Sequence, residues 1–212
     1  MGGVREDYLA VARAAEGLLE EPAVAAAWGE PSALAEMSVR GLAGHLAYQV
    51  LIVRQVLGEP EPVEETITLL EHYGRVRWIG APLDDEFNVG VRRGGEAEAA
   101  DGPGGLAARV GAAVGELAGR LESEPERAVR IPLWGAWSLS LNDLLVTRMM
   151  ELAVHSDDLA VSVGVATPEL PESAVERVVD LLSRIAVRRH GATAVLRALS
   201  RAERAPATIA AF

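Results

Sequence analysis

The chain contains no cysteine, which excludes disulfides, thiolate metal ligands and a cysteine nucleophile of its own. It contains no lysine either, so all 20 residues counted as Lys or Arg are arginines. Schiff-base lysines, a phosphate-loop lysine and a pyridoxal phosphate anchor are thereby excluded. No apolar run approaches the ~20 residues of a membrane span, and the opening MGGVREDYLAVARAAE is charged early, without a secretory pattern. The serines lack a Gly-x-Ser-x-Gly elbow, and no glycine-rich nucleotide loop sits between a strand and a helix. The stretch GGEAEAADGPGG is glycine-rich but acidic, which would repel phosphate. A net charge of −11 argues against nucleic acid or an anionic membrane as partner. A soluble cytoplasmic protein is the expectation.

What is present favours helix. At 212 residues, half of them hydrophobic, with Ala, Leu and Val dominating, the chain suffices for one well-filled core. Apolar periodicity predicts four main helices, 4–20, 38–57, 106–121 and 141–163, with Ser38 capping the second and Pro22 ending the first. Further helical patterns run over 63–79 and 172–189, before a short terminal piece. The Gly- and acid-rich region 81–105 reads as a loop or lid, and ERAVRIPLWGAWSLS as an extended approach or short hairpin near 128–138. The sum is a mainly all-α chain: a four-helix bundle in one domain, 1–212, with a C-terminal helical extension over about 172–212.

The segment LNDLLVTRMMELAVHSDDLAVSVGV, from Leu141 to Val165, carries the site candidate. At about 100° per residue, Arg148, Glu151, His155 and Asp158 fall within an arc of roughly 80° on an otherwise apolar helix. Asp157 points the opposite way, toward solvent. Burying such a stripe without partners costs several kcal/mol. Glu151 and His155 stand one turn apart, so carboxylate and imidazole can converge on one ion. His45 lies on the apolar side of the second helix with Leu42, Tyr48, Gln49 and Ile52. It is either a core histidine or a third ligand, and two histidines with one carboxylate leave a metal position open for water or substrate.

These residues carry a resemblance. SVRGLAGHL, followed about a hundred residues later by TRMMELAVHSDDLA and at the end by GATAVLRALSRAERAPATIAAF, is similar to the mycothiol-dependent maleylpyruvate isomerase family, within the DinB-like metal-binding four-helix bundles. The resemblance covers most of the chain from Leu34 onward. Met37 stands where family members commonly have Trp. The resemblance implies that His45, Glu151 and His155 bind a divalent metal, commonly zinc, and that a thiol, most obviously mycothiol, is the cofactor or co-substrate. The isomerase has a further C-terminal domain that supplies an arginine, whereas this sequence is expected to be a short form; Arg201 and Arg204 are candidates to replace that contact.

Around the metal set, Arg148 is a candidate catalytic residue that would hold a substrate carboxylate, or else an intrahelical partner of Glu151 or Asp158. Asp158 would orient the His155 imidazole, or pair internally with an arginine. His72 reads as a surface or helix-packing residue, and His190 as a helix-end residue. Trp134 and Trp137 either wall the pocket or fill the core. The leading functional expectation is a metal- and mycothiol-dependent isomerase or S-transferase acting on a small electrophile. A metal-dependent hydrolase and a non-catalytic binding bundle are the rivals, and a homodimer is compatible with all three.

Overall fold

The structure, a computed structural model, describes residues 3–212. Four long helices form the bundle: α1 (Val4–Leu19), α3 (Val39–Gly58), α6 (Gly102–Ser123) and α7 (Leu141–Val163). Short α2 (Pro22–Ala26), α4 (Leu69–Arg75) and α5 (Glu86–Glu98) fill the connections, and α8 (Glu172–His190) and α9 (Ala192–Ser200) follow the bundle. The fold is mainly all-α, as the apolar periodicity predicts, and no helix among the described residues is long and apolar enough to cross a membrane.

Each bundle helix buries an apolar stripe. Tyr8, Val11, Ala15 and Leu18 of α1 meet Leu42, Leu46, Val50 and Val53 of α3, Leu106, Val110, Leu117 and Leu121 of α6, and Leu144, Leu145, Met149 and Leu152 of α7 in one core. Fully burying each Val, Leu or Met side chain among them stabilises by roughly 1.5–3 kcal/mol. Helices α1 and α3 each pack against both α6 and α7. Arginines at the helix ends reveal the directions. Arg5 at the start of α1 donates to the Leu121 carbonyl at the end of α6 (2.9 Å) and reaches Asn142 at the start of α7 (3.4 Å). Arg120 near the end of α6 donates to the Leu57 carbonyl at the end of α3. So α1 and α7 run one way, and α3 and α6 the other.

Caps fix where the site-bearing helices begin. The Ser38 hydroxyl accepts from the Gly41 N–H (2.9 Å), satisfying an orphan donor of α3. Ser140 does the same for the Asp143 N–H of α7 (3.1 Å), and Gly164, at φ 73°, ends that helix in the left-handed conformation. Just before α7, β1 (Ala128–Val129) pairs antiparallel with β2 (Leu139–Ser140), a two-stranded ladder where a hairpin is expected.

Two expectations require correction. The region 81–105 is not a lid: most of it forms α5, which lies backbone-to-backbone on α3. A Cβ on Gly44 would come within 1.9 Å of the Gly95 carbonyl oxygen, and one on Gly95 within 2.2 Å of that of Gly41. Glycines that read as helix breakers are here the condition for close helix contact. The helix expected over 63–79 shrinks to α4. Residues before it are extended, with the Ile67 N–H donating to the Ser138 carbonyl (3.0 Å) and the Ser138 N–H to that of Glu65 (2.8 Å). Thr68 then opens α4 through reciprocal bonds with Glu71.

Candidate metal centre

The facing stripes of α3 and α7 bring three ligand-type side chains together. The Oε2 atom of Glu151 lies 3.2 Å from His155 Nε2 and 3.5 Å from His45 Nε2. The two imidazoles meet edge to face with centroids 4.7 Å apart, and all three ligand atoms lie within 4.8 Å of one another. A tetrahedral ion with bonds near 2.0–2.1 Å sets its ligand atoms about 3.3 Å apart. The two N–O separations bracket that edge, so the donor set and its spacing fit a divalent ion such as zinc. The sequence-predicted triad therefore converges in space, from helices separated by about a hundred residues of chain.

The protonation pattern follows from the same geometry. Burial pushes His45 below the ordinary imidazole value, with the hydrogen bond to Glu151 opposing that shift. Burial would raise the Glu151 carboxyl, but hydrogen bonds from His155 and His45 hold it well below the usual carboxylate range. Burial lowers His155 too, yet Asp158 and Glu151 outweigh it and hold the ring up to about 9. Two carboxylates thus flank one imidazole. Asp158 Oδ2 sits 2.9 Å from His155 Nδ1, which fixes the ring and leaves Nε2 facing Glu151. Asp157, one residue earlier, is exposed and accepts from Thr167.

Arg148 is buried, and its guanidinium forms no ion pair with a carboxylate among the described residues. Nε donates to Thr147 Oγ1 (3.0 Å) and Nη1 to Gln49 Oε1, while the Trp134 ring lies 5.0 Å from the guanidinium carbon. The intrahelical pairing with Glu151 or Asp158 is not formed. Gln49 also donates to the His45 carbonyl (2.9 Å) and stands 3.3 Å from His45 Nε2, so it couples Arg148 to the triad. Gln49 lies on the His45 face of α3, and its i+4 spacing from that histidine is the sequence signal for this role.

Of the two places expected for His72, it takes the packing one and not the surface. It is 2% exposed, and Trp137 Nε1 donates to its Nδ1 at 3.1 Å. Its ring lies 4.3 Å from that of Trp134 and 5.0 Å from that of Tyr73, whose hydroxyl is buried without a hydrogen-bond partner among the described residues. The extended 64–67 segment, pinned to Ser138, delivers α4 to this position, an effect no local pattern encodes. Other expectations resolve simply. Trp134 and Trp137 are half-buried and line this side of the site. His190 ends α8 and contacts the Ala210 carbonyl (2.8 Å). Arg201 and Arg204 are exposed, engaging the Ser200 carbonyl and Glu203, and do not join the cluster.

No curated protein and no solved structure matches the chain. A sequence profile described as the mycothiol maleylpyruvate isomerase N-terminal domain matches residues 8–160, a span that runs from α1 through the whole ligand triad to the end region of α7. With bundle, triad and profile coinciding over that span, the chain belongs to the mycothiol maleylpyruvate isomerase N-terminal domain family.

Proposed function

We propose that this protein is a divalent-metal-dependent enzyme that uses mycothiol, or a related low-molecular-weight thiol, on a small electrophilic substrate. The observation that carries the reading is the convergence of His45, Glu151 and His155 at ion-ligating separations within a chain of this family. The reaction class is nucleophilic addition to an electrophilic carbon, ending as isomerisation or as S-transfer. The absence of cysteine supports an external thiol, because the chain has none to offer.

His45 Nε2, Glu151 Oε2 and His155 Nε2 would hold the ion, zinc by preference. When bound, such an ion supplies Lewis acidity that favours the ionised form of a thiol at neutral pH. The chain's own residues set the stage for that chemistry. Asp158 accepts from His155 Nδ1–H, which holds the tautomer that leaves Nε2 free to coordinate. With an ion bound, His155 would give up the Nε2 proton that its two carboxylate neighbours otherwise favour, and Glu151 would supply one negative charge beside two neutral imidazoles. Gln49 fixes the Arg148 guanidinium one turn from Glu151, where it can meet a negatively polarised group of the substrate.

The test is a titration of the cobalt-substituted protein with mycothiol. A sulfur-to-metal charge-transfer band that His155→Ala abolishes, together with thiol-dependent turnover of small electrophiles, is the expected result. Metal-supported turnover indifferent to added thiol replaces this reading with hydrolysis, and no turnover with no band replaces it with a binding bundle.

A further inference from the structure

Beside the triad, three neighbouring side chains carry hydrogen-bond donors that meet no acceptor among the described residues. Arg148 Nη2 makes no hydrogen bond to a described residue, its Nε and Nη1 being taken by Thr147 and Gln49. The Tyr73 hydroxyl is buried and bonds nothing among the described residues. The indole N–H of Trp137 can only donate, so His72 Nδ1 must accept and the neutral ring carries its proton on Nε2. That Nε2–H is likewise unbonded among the described residues.

The three belong to one contiguous group. Tyr73 stacks edge-on to His72, His72 leans on Trp134, and Trp134 lies under the Arg148 guanidinium. Burial holds His72 neutral, down to about 3, with the Arg148 charge adding to that effect. Burial likewise pushes the Tyr73 phenol far up, so it stays a donor. A buried cation without a carboxylate partner and a buried hydroxyl without any partner are both costly in a folded protein. Donors alone, one of them cationic, are complementary to an acceptor-only anion.

We propose that Arg148, Tyr73 and His72 form an oxyanion subsite that binds a carboxylate of the small-molecule substrate, with Trp134 as its flat wall. The subsite rests on the proposed function only for its purpose, since it names the substrate class taken beside the triad. It assigns His72 and Tyr73, from the short helix α4, to recognition. No hydrogen bond or ion pair joins Glu151 to these donors among the described residues, and its Oε2 faces the two imidazoles.

The experiment is calorimetric titration of the metal-loaded protein with sodium benzoate and with its neutral isostere benzamide, metal content and Tm being measured for every variant. Benzoate is expected to bind saturably and benzamide at least tenfold more weakly. Arg148→Met should weaken benzoate at least tenfold, and Tyr73→Phe about five- to tenfold, the loss of one hydrogen bond to an anion. Tyr73→Phe removes an unpartnered hydroxyl and leaves the ring, so it retains the fold. Equal binding of benzamide, no binding of benzoate, or benzoate affinity unchanged by Arg148→Met would each overturn the subsite. Metal content separates the two readings: a wild-type protein that takes no ion overturns the metal centre, while the benzoate series still decides the subsite.

Discussion

One buried polar cluster of this bundle joins α1 to α8, and another gathers side chains of α3, α4 and α7. In the first, Asp7 of α1, 3% exposed, accepts from Arg177 Nε at 2.7 Å and from Ser173 Oγ at 2.6 Å, both on α8. Its charge and its lone pairs are answered, and the result fastens α8 to the bundle. In the second, Arg148 is 6% exposed yet pairs with no carboxylate among the described residues, Tyr73 Oη has no hydrogen-bond partner among them, and three ligand atoms lie within 4.8 Å of one another. The same helical scaffold therefore holds one polar cluster that is answered from within and one that, on the proposed function, takes a ligand. Polar groups that hold a fold are satisfied within it, whereas those left wanting mark where chemistry is done.

That contrast can be broken by substitution. The largest effect is expected from Asp158→Asn, which should cost about 10–100-fold in metal affinity through a misoriented His155, with Tm of the metal-free protein nearly unchanged. Competition with a chromogenic chelator measures it; wild-type affinity in the variant would show that Asp158 does not position the ring. Asp7→Ala should do the reverse. It should lower stability by about 1–3 kcal/mol in urea unfolding, because Arg177 loses its buried partner, and leave metal content intact.

A third effect depends on pH. His72 lies near 3 in the folded protein against an ordinary 6.5. Between those values the unfolded chain takes up a proton that the folded chain refuses. Stability from this group is therefore present above pH ~6.5 and lost as pH falls, by about 1.4 kcal/mol per pH unit. His72→Asn, which keeps an acceptor for Trp137, should flatten the urea-unfolding profile over that range by this slope; an unchanged slope would show that His72 titrates freely. The smallest effect is expected from Arg148→Met. Removing a buried cation that has no ion pair among the described residues should leave Tm within about 2 °C or raise it, whereas a structural arginine would cost several degrees.

Much of this was legible in the sequence. The bundle helices follow from apolar periodicity, because each buries one continuous stripe, and the polar stripe of α7 stood out against that background. His45 joined it through spacing within α3 and through the family resemblance. What escaped reading was set by contacts between distant segments. Gly94 and Gly95 look like a break, yet Gly95 is the surface on which α5 touches α3. His72 sits in a seven-residue helix too short to show a periodicity, and its burial depends on Ser138 pinning the chain that precedes it. Tyr73 gave no signal, since an unpartnered hydroxyl is a property of the packed structure alone.

The metal centre is tested most directly by the metal stoichiometry of protein purified without a histidine tag, in wild type, His45→Ala and His155→Ala. The expected result is one divalent ion per chain in the wild type, a sharp fall in both variants, and in the wild type a loss through the imidazole range as protons compete for the two rings. Unchanged stoichiometry in both variants, or retention in wild type that is flat from neutral pH to about 5 with chelator present, would contradict ligation by His45 and His155.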